Sequence, residues 1–536
     1  MSASNDSKGT EETAPEGRTF ERVLKSAAAI TVLTFLSRIL GLVREQVRGY
    51  YLGTGSSSDA FGLAATIPNL FRRLLAEGAM TAAFVPVFTG HVNRNNRKEL
   101  LAFFSNFLSL FTFVTTLVCI LGILFSPWLI ETFFSSGFGK VEGKVALTIV
   151  LTQIMFPYLL LVSLAAVFQA VLNSFNIFAP SAFTPILLNL SIIILAALFH
   201  DVFPDPSYAF AAGFLAGGLL QLAFQLPWFR RTGIRISLSF NWTHPGVKEL
   251  IRVFLPGTFA AGIYQINVFV SQMIASSLAE GSIASLQYSV RLQELVLGVF
   301  VVSMTTVILP TLARQHAKGD DDAFSSTNRF SLQVLAFVTI PASAGLIALR
   351  EPIVSLLFQQ GEFDSYSTAM TSFAVLFHSV GIYFIASSRS LNQAFYAMKD
   401  LKTPTMVAGV AMVVNIAGCY LLAIPLAHGG IALANSASAA VATALMFYLL
   451  ARRGAAVGFS AHAGLVGRLL LASGIMVAAL AGLQQLLPFE AAGGKLHLLA
   501  LTLLYVTAGA ATFAGAALLL ARRELMELLS LLKRRN

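Results

Sequence analysis

The residues best suited to chemistry are arginines that stand inside apolar segments near the N-terminus. Between positions 30 and 90, the stretches SRILGLVREQVR and IPNLFRRLLAEGA hold Arg38, Arg44, Arg48, Arg72 and Arg73. A guanidinium keeps its charge at any relevant pH, and at a bilayer centre it costs about 3 kcal/mol. Five of them facing lipid would cost on the order of 15 kcal/mol. We therefore expect them to line a watery cavity inside a helix bundle.

The spacing of neighbouring residues supports such a cavity. Arg38, Gly41 and Glu45 are spaced to share one helical face, and Gly41 permits close approach of a second helix. Asn69 precedes Arg72 by one turn. Surplus arginine attracts an anion, and the guanidinium fork matches phosphate. The pattern predicts a phosphorylated substrate, and a lipid-linked pyrophosphate would also use an apolar groove.

Several charged positions keep two interpretations. Arg73 either contacts the ligand or pairs with Glu77 one turn later, and Arg48 either contacts the ligand or reaches the membrane interface from its helix end. The remaining candidates are Arg291, which can pair with Glu294, together with Arg389, a candidate interface anchor, and Asp59 near the outer mouth.

Catalytic and metal-binding signatures are missing from the sequence. No histidine pattern matches H-E-x-x-H, and no GxxxxGK[ST] nucleotide loop occurs. The two cysteines, Cys119 and Cys419, stand in separate apolar runs and are expected to be packing thiols. We expect a transporter without a cofactor rather than an enzyme. A coupling ion, sodium or proton, stays open.

The composition indicates an all-α polytopic membrane protein. Of the 536 residues, 56% are hydrophobic and 12% charged, with a mean hydropathy of +0.74. Apolar runs of about 20 residues recur along the chain, the length that crosses a bilayer as a helix. We predict about fourteen spans, near 27–50, 59–90, 101–130, 146–173, 181–200, 207–229, 249–278, 283–313, 328–349, 369–396, 404–424, 429–451, 465–487 and 496–521. The second and eighth are long, and we expect bends at Pro68, Pro86 and Pro310 or extension into the cytoplasm.

The loop charges orient these spans. With the N-terminus inside, 25 of the 36 Lys and Arg residues fall on the inner side and four on the outer side. Such a bias predicts that both termini are cytoplasmic. It also explains the net charge of +10 without a nucleic-acid partner.

A weak internal repeat predicts two similar halves. At an offset of 219 residues, Leu172-Asn173 and Thr184-Pro185 recur as Leu391-Asn392 and Thr403-Pro404, and Arg72 meets Arg291. The simplest architecture is two six-helix lobes around a central cavity. We assign residues 1–26 to a cytoplasmic tail, 27–229 to the N-lobe, 230–248 to a cytoplasmic linker, 249–453 to the C-lobe, and 454–536 to two further helices with a basic tail.

Longer motifs resemble one known family. SRILGLVREQV (37–47), DAFGLAATIPNLFRRLLAEGAMTAAFVPVF (59–88), SLLFQQGEFD (355–364) and AFYAMKDLKTP (394–404) resemble the bacterial lipid II flippase family MurJ, also called MviN. This family belongs to the multidrug/oligosaccharidyl-lipid/polysaccharide (MOP) exporter superfamily. The motif from Asn69 to Gly78 is specific to the family rather than generic to transporters.

The resemblance implies a fourteen-helix fold in the bacterial cytoplasmic membrane, with a central cationic cavity and a lipid groove formed by the last two helices. It implies translocation of undecaprenyl-pyrophosphate-linked peptidoglycan precursor from the inner to the outer leaflet by alternating access, for cell wall synthesis and cell shape, with cell-wall synthesis proteins as possible partners. The family's essential arginines fall on Arg38, Arg44, Arg72 and Arg291. Its other sensitive positions fall on Ser37, Asp59, Asn69 and Glu77, and its basic residue in span ten falls on Arg389.

The sequence departs from the family in three places. Glu45 replaces a common Asp, and Val290 stands where an acid often precedes the arginine of span eight. Asn415 matches part of a sodium site found in some members, but Cys419 stands one turn further on. Asn415 alone therefore does not establish sodium coupling, and the coupling ion stays open. Two other functions are alternatives: a related exporter of another polyprenyl-linked oligosaccharide, and a membrane enzyme, which would need a His or acid cluster that the sequence lacks.

Overall fold

The computed structural model describes residues 16–76, 79–94, 96–237, 239–454, 458–489 and 494–526. Within these ranges the chain is helical with short connections and contains no strand, so the all-α prediction is confirmed. Glu77, most of the predicted N-terminal tail and the end of the basic C-terminal tail lie outside the described residues.

The first part of the chain forms the helices that carry the N-terminal arginines. They are α1 (Glu16–Leu52), α2 (Ser56–Leu75), α3 (Ala79–Asn93), α4 (Arg97–Phe133), α5 (Ser135–Phe138), α6 (Lys144–Met155), α7 (Pro157–Ser174), α8 (Ala179–Phe199) and α9 (Ser207–Arg231). Helix α8 packs on both α1 and α9, and α6 packs on α2. These contacts hold α1 and α2 at the wall of the bundle.

The second part contributes the opposite wall. It contains α10 (Pro245–Ser276), α11 (Ser282–Val296), a π-helical turn (Leu297–Val301), α12 (Val302–Ala317), α13 (Asp321–Ala348), α14 (Arg350–Phe358), α15 (Ser365–Val380), α16 (Ile382–Ala397) and α17 (Lys402–Ala451). The chain continues with α18 (Phe459–Leu486) and α19 (Lys495–Leu520). These two pack on each other, and α18 also packs on α13.

Helix α17 is a hairpin of two helical arms rather than one rod. Ala427 has φ 46° and ψ −132°, outside the helical region. A Cβ placed on Gly430 would lie 2.1 Å from the carbonyl oxygen of Leu422, so the second arm folds back onto the first. Pro425 stands just before the turn, where a helix readily ends. The two arms coincide with the predicted spans 404–424 and 429–451.

The long second and eighth spans are interrupted, but not at the prolines. Pro68, Pro86 and Pro310 each lie inside a helix, so no helix ends at these residues. In the second span, α2 ends at Leu75 and α3 begins at Ala79, and the eighth span contains the π-helical turn. Helix α11 ends within two residues of where the repeat offset places the end of α2.

Length and hydropathy agree with a polytopic membrane protein. In the described part of the chain, eight helices are individually long and apolar enough to cross a bilayer, and ten if two bent pairs are included. One such pair, α15 and α16, bends by 43°. Helix α11 is not among these because it has only 15 residues, and α2 is not because it carries Asp59, Arg72 and Arg73 within 20 residues. All fourteen predicted spans coincide with helices or interrupted helices, which is compatible with the predicted count.

Candidate functional site

A cavity of about 1040 Å³ lies between the two parts of the chain. Helices α1, α2, α7, α8 and α9 contribute to one wall, and α10, α11, the π-helical turn and α16 contribute to the other. Seven arginines and two glutamates line it. They are Arg38, Arg44, Arg48, Arg72, Arg73, Arg291, Arg389, Glu45 and Glu294. The predicted cationic cavity therefore exists among the described residues.

Glu45 is the centre of the charge network. Its buried carboxylate accepts a hydrogen bond from the Arg44 guanidinium, and Arg48 Nη1 lies 3.5 Å from its second oxygen. Arg291 Nε approaches the same carboxylate at 3.5 Å from α11. One acid on α1 is thus shared by three arginines, and the cluster retains excess positive charge.

Arg291 is the most accessible member of this cluster. Its side chain is 44% exposed, and Nη1 lies 3.2 Å from the carboxylate of Glu294 one turn along α11. The predicted pair with Glu294 is present, and it leaves the guanidinium open to the cavity. Because Arg291 also reaches Glu45, it links the two walls.

Arg48 does not extend toward the membrane interface. It is buried, donates to Gln287 Oε1 at 2.8 Å and to the Ser58 carbonyl at 2.8 Å, and lies against the rings of Phe61 and Tyr288. These partners compensate its desolvation inside the bundle. The snorkelling interpretation is wrong, and Arg48 joins α1 and α2 to α11.

Arg38 lies against backbone of the opposite wall. A Cβ placed on Gly298 in the π-helical turn would stand 1.5 Å from Arg38 Nη1. Only glycine therefore leaves room for the guanidinium at this point. Sequence reasoning missed Gly298, although its place after the arginine-bearing helix α11 was a usable signal.

The residues around Gly41 hold Arg44 in place. Asn189 on α8 accepts from Arg44 Nη1 at 3.1 Å and donates to the Ser37 carbonyl at 3.2 Å. A Cβ on Gly41 would lie 3.8 Å from Asn189 Nδ2, an ordinary contact. The expected close approach at Gly41 therefore does not require glycine.

The arginines of α2 also face the cavity. Arg72 Nε donates to Asn69 Oδ1 at 2.8 Å, so Asn69 orients the guanidinium. Arg73 lies over the ring of Tyr264 on α10, 5.8 Å from its centroid. Arg389, on α16, is exposed and lines the cavity from the second part of the chain.

Asp59 does not belong to this cavity. It is buried, pairs with Lys144 Nζ at 2.9 Å, and accepts from the backbone nitrogens of Gly281 and Ala284 at 2.8 and 2.9 Å. It therefore caps the start of α11, since a carboxylate satisfies otherwise unpaired amides there. The expectation that Asp59 supports the cavity is wrong. It belongs to a separate cluster between the two walls.

Neutral side chains surround Asn415. Ser271 Oγ lies 3.3 Å and Cys419 Sγ 3.4 Å from Asn415 Oδ1. Among the described residues, no group of three or more His, Cys, Asp or Glu could hold a metal ion. Both cysteines are free and buried.

The buried His378 bonds to Ser289 through Nδ1 at 2.7 Å, and its backbone carbonyl accepts from Gln293 at 2.6 Å.

Comparison with known proteins assigns the family. The family model described as "Lipid II flippase MurJ" matches residues 49–506. The chain belongs to the lipid II flippase MurJ family. It is thus a membrane transporter rather than an enzyme. A probable lipid II flippase MurJ from Vibrio cholerae is 35% identical over 472 residues, covering 86% of this chain and 89% of the relative. Its counterpart from Treponema pallidum is 36% identical over 439 residues, covering 80% and 82%.

Solved structures of similar fold include a member of the same family. A MurJ structure in an inward closed conformation matches with a TM-score of 0.78 and 25% identity, covering 92% of this chain and 99% of the other. An inward-facing MATE multidrug transporter of the MOP superfamily matches with a TM-score of 0.66 and 14% identity, covering 80% and 98%. The second match concerns the fold alone.

Proposed function

We propose that this MurJ family member binds the pyrophosphate of lipid II in the arginine-lined cavity and carries it from the inner to the outer leaflet for peptidoglycan synthesis. The observation that carries the proposal is the convergence of Arg44 and Arg291, from opposite walls, on the single carboxylate of Glu45. A pyrophosphate offers several acceptor oxygens to such guanidinium forks. It would therefore neutralise charge that Glu45 alone leaves uncompensated.

Substrate binding would proceed by exchange of ion-pair partners. The Arg291 side chain is the most exposed of the cluster, so it can contact the phosphate before the buried Glu45 and the largely buried Arg44 rearrange. Arg38 and Arg72 line the same cavity and add donors from α1 and α2. Arg44, Arg48 and Arg291 are paired with Glu45 or Glu294, so these ion pairs hold the two walls together before the substrate binds.

Alternating access would move the two halves around this site. The contacts at one end of the cavity join the halves: Tyr288 Oη donates to the Gly53 carbonyl at 3.1 Å, and the Glu362 amide donates to the Tyr50 carbonyl at 2.9 Å. The loop-charge bias supports this as the outer end, in an orientation with both termini cytoplasmic. These contacts must break for lipid II to leave toward the outer leaflet. In this scheme residues 27–229 and 249–453 act as lobes, and α18 and α19 guide the polyprenyl tail.

The experiment is a leaflet-resolved flipping assay with lipid II in proteoliposomes. Arg38→Ala and Arg72→Ala should reduce transport to background, while Arg314→Gln should transport normally. Arg314 is a suitable control because it is an exposed arginine outside the cavity. Transport by Arg72→Ala at the unmodified rate would contradict the proposal. Preference for a different polyprenyl-linked oligosaccharide in competition would instead favour a related MOP exporter.

A further inference from the structure

The segment that joins the two halves is described over residues 232–237 and 239–244, and both stretches follow the surface of α4 without forming a helix. Arg97 donates to the Gly233 carbonyl at 2.9 Å, and Ser105 and Ser237 share a hydroxyl hydrogen bond of 2.7 Å. Further along, the Asn241 amide donates to Asn106 Oδ1 at 2.8 Å. The segment therefore climbs along α4 from its first turn instead of leaving it.

From Ile236 onward, the polarity of this segment is reversed relative to a segment that faces water. Polar groups of the segment bond to α4: the Ser237 hydroxyl bonds to Ser105, and the Ser239 carbonyl accepts from the Ser109 hydroxyl. Ile234 is buried in the core, but Ile236 and Phe240 point away from the protein and are 49% and 70% exposed. Water would disfavour this arrangement by the cost of exposed apolar area. An apolar surrounding such as a bilayer favours it.

The depth of the segment agrees with the membrane interface. Between Glu99 and Glu131, α4 has 31 consecutive uncharged residues. At ~1.5 Å per residue these span roughly 46 Å, whereas the hydrocarbon core is about 30 Å thick. The excess can lie at the end near Arg97, which is the part that the joining segment covers.

Aromatic rings mark where the segment meets the lipid-facing surface of α4. The Trp242 ring lies 5.1 Å from that of Phe113, and its Nε1 donates to Ser109 Oγ at 3.4 Å. Phe113 is itself half exposed on α4, and Phe240 lies 6.2 Å from Trp242. Tryptophan with one polar bond and an apolar body is typical of the boundary between headgroups and acyl chains.

Positive charge surrounds this apolar edge. Arg230, Arg231 and Arg235 are exposed, and Arg231 lies over the ring of Trp228 at 4.6 Å. Lys248 is exposed just after the segment. A basic cluster beside aromatic residues at a membrane surface attracts anionic headgroups.

We propose that residues 228–237 and 239–248 form an interfacial anchor that binds anionic phospholipids of the cytoplasmic leaflet. Phe240 and Trp242 enter the boundary region, and the three arginines contact headgroup phosphates. Since this segment is the covalent link between the halves, the anchor ties the lipid surface to the part of the chain that must flex during transport. The surface is distinct from the arginine-lined cavity and does not depend on lipid II.

The test uses the full chain, whose three tryptophans are Trp128, Trp228 and Trp242. A variant with Trp128→Phe and Trp228→Phe leaves Trp242 as the only tryptophan, and excitation at the red edge of the spectrum selects it over tyrosine. It is reconstituted in vesicles that contain phosphatidylglycerol and phosphatidylcholine, with one of the two brominated at a shallow acyl position. Trp242 should be quenched by brominated lipid and protected from aqueous iodide. Strong quenching by iodide without quenching by brominated lipid would overturn the proposal, because it would place Trp242 in water.

Headgroup preference is tested in the same vesicles. At equal mole fractions, brominated phosphatidylglycerol should quench Trp242 at least about twofold more than brominated phosphatidylcholine, as basic side chains attract anionic lipid. Replacement of Arg230, Arg231 and Arg235 by Gln should remove the preference, and replacement by Lys should keep it. Equal quenching by both lipids, with the three arginines in place, would contradict the proposed preference for anionic phospholipids.

A matched control comes from the far part of the same helix. A variant with only Trp128, which is 58% exposed on α4, should be quenched by both lipids without headgroup preference. Flipping of lipid II by each variant reports folding separately. A variant that transports lipid II but shows no lipid contact at Trp242 would refute the anchor and leave the proposed function intact.

Discussion

Two buried carboxylates, Glu45 and Asp59, lie fourteen positions apart in the sequence and have opposite environments. Asp59 meets one lysine and two backbone amides at the start of α11, so its single charge is matched. Glu45 meets three arginines, so its surroundings keep a positive excess. Both join the two halves of the chain. The difference indicates that matched charge closes an interface, whereas surplus charge beside a cavity awaits an anion.

The largest effect is expected at the matched cluster. Asp59→Ala leaves Lys144 buried without its partner and α11 without its cap. Breaking a buried ion pair on one side costs about 3–5 kcal/mol, so thermal unfolding in detergent should occur at clearly lower temperature. The double variant Asp59→Asn with Lys144→Gln should recover part of the loss. An unchanged unfolding midpoint for Asp59→Ala would show that the matched Asp59 cluster does not stabilise the interface between the halves.

A change at the surplus cluster should affect binding instead of stability. Arg291→Gln removes a 44% exposed guanidinium, so the unfolding midpoint should change little. Lipid II affinity should fall about 10- to 100-fold, because hydrogen bonds to charged groups contribute roughly 1.5–3 kcal/mol. Direct binding of lipid II measures this, with Glu294→Gln as the control that leaves affinity equal or higher. Equal affinity of Arg291→Gln and the unmodified chain would disagree with a substrate role.

Two glycines in the cavity wall, Gly298 and Gly41, differ in how much space surrounds them. A Cβ on Gly298 would stand 1.5 Å from Arg38 Nη1, whereas one on Gly41 would stand 3.8 Å from Asn189. Gly298→Ala should displace Arg38 and lower lipid II affinity about tenfold, the scale of one charged hydrogen bond. Gly41→Ala should bind normally. If both variants bind alike, the position of Arg38 against the π-helical turn is unimportant for the site.

The smallest effect is expected at a carboxylate outside the spans. Asp400 accepts from the backbone and hydroxyl of Thr403 and pairs with Arg453 at 2.6 Å. Burial raises the pKa of Asp400, but these hydrogen bonds and the ion pair outweigh it and lower the pKa below its usual value. A lowered native pKa adds stability above the unfolded pKa that is lost as pH falls through the native one. Acidification below pH ~4 should therefore lower the unfolding midpoint of the unmodified chain slightly more than that of Asp400→Asn.

Much of the architecture followed from local sequence. Apolar runs of bilayer length indicated all the long helical segments, including the two arms of α17, because a helix in lipid satisfies its backbone hydrogen bonds within one segment. The short helices α5 and α14 were not predicted. Bends at prolines or extension into the cytoplasm were expected for the two long spans, but a proline within a helix loses only one hydrogen bond, which neighbouring helices can compensate. The helix end at Leu75 and the π-helical turn at residues 297–301 carry no proline and were not predicted.

The sequence by itself determined that charged residues had to share a wet cavity, because guanidinium groups cannot be neutralised in lipid. It could not assign each charge to its partner. Asp59 was expected to support the cavity, but its contacts with Lys144 and the start of α11 make it a helix cap. Arg48 was expected to contact the ligand or reach the membrane interface, but its contacts with Gln287 and Ser58 make it a buried connection between helices. Those partners are distant in the chain or presented by backbone. Only the tertiary structure decided which charges were matched and which, around Glu45 and Arg291, remained in surplus.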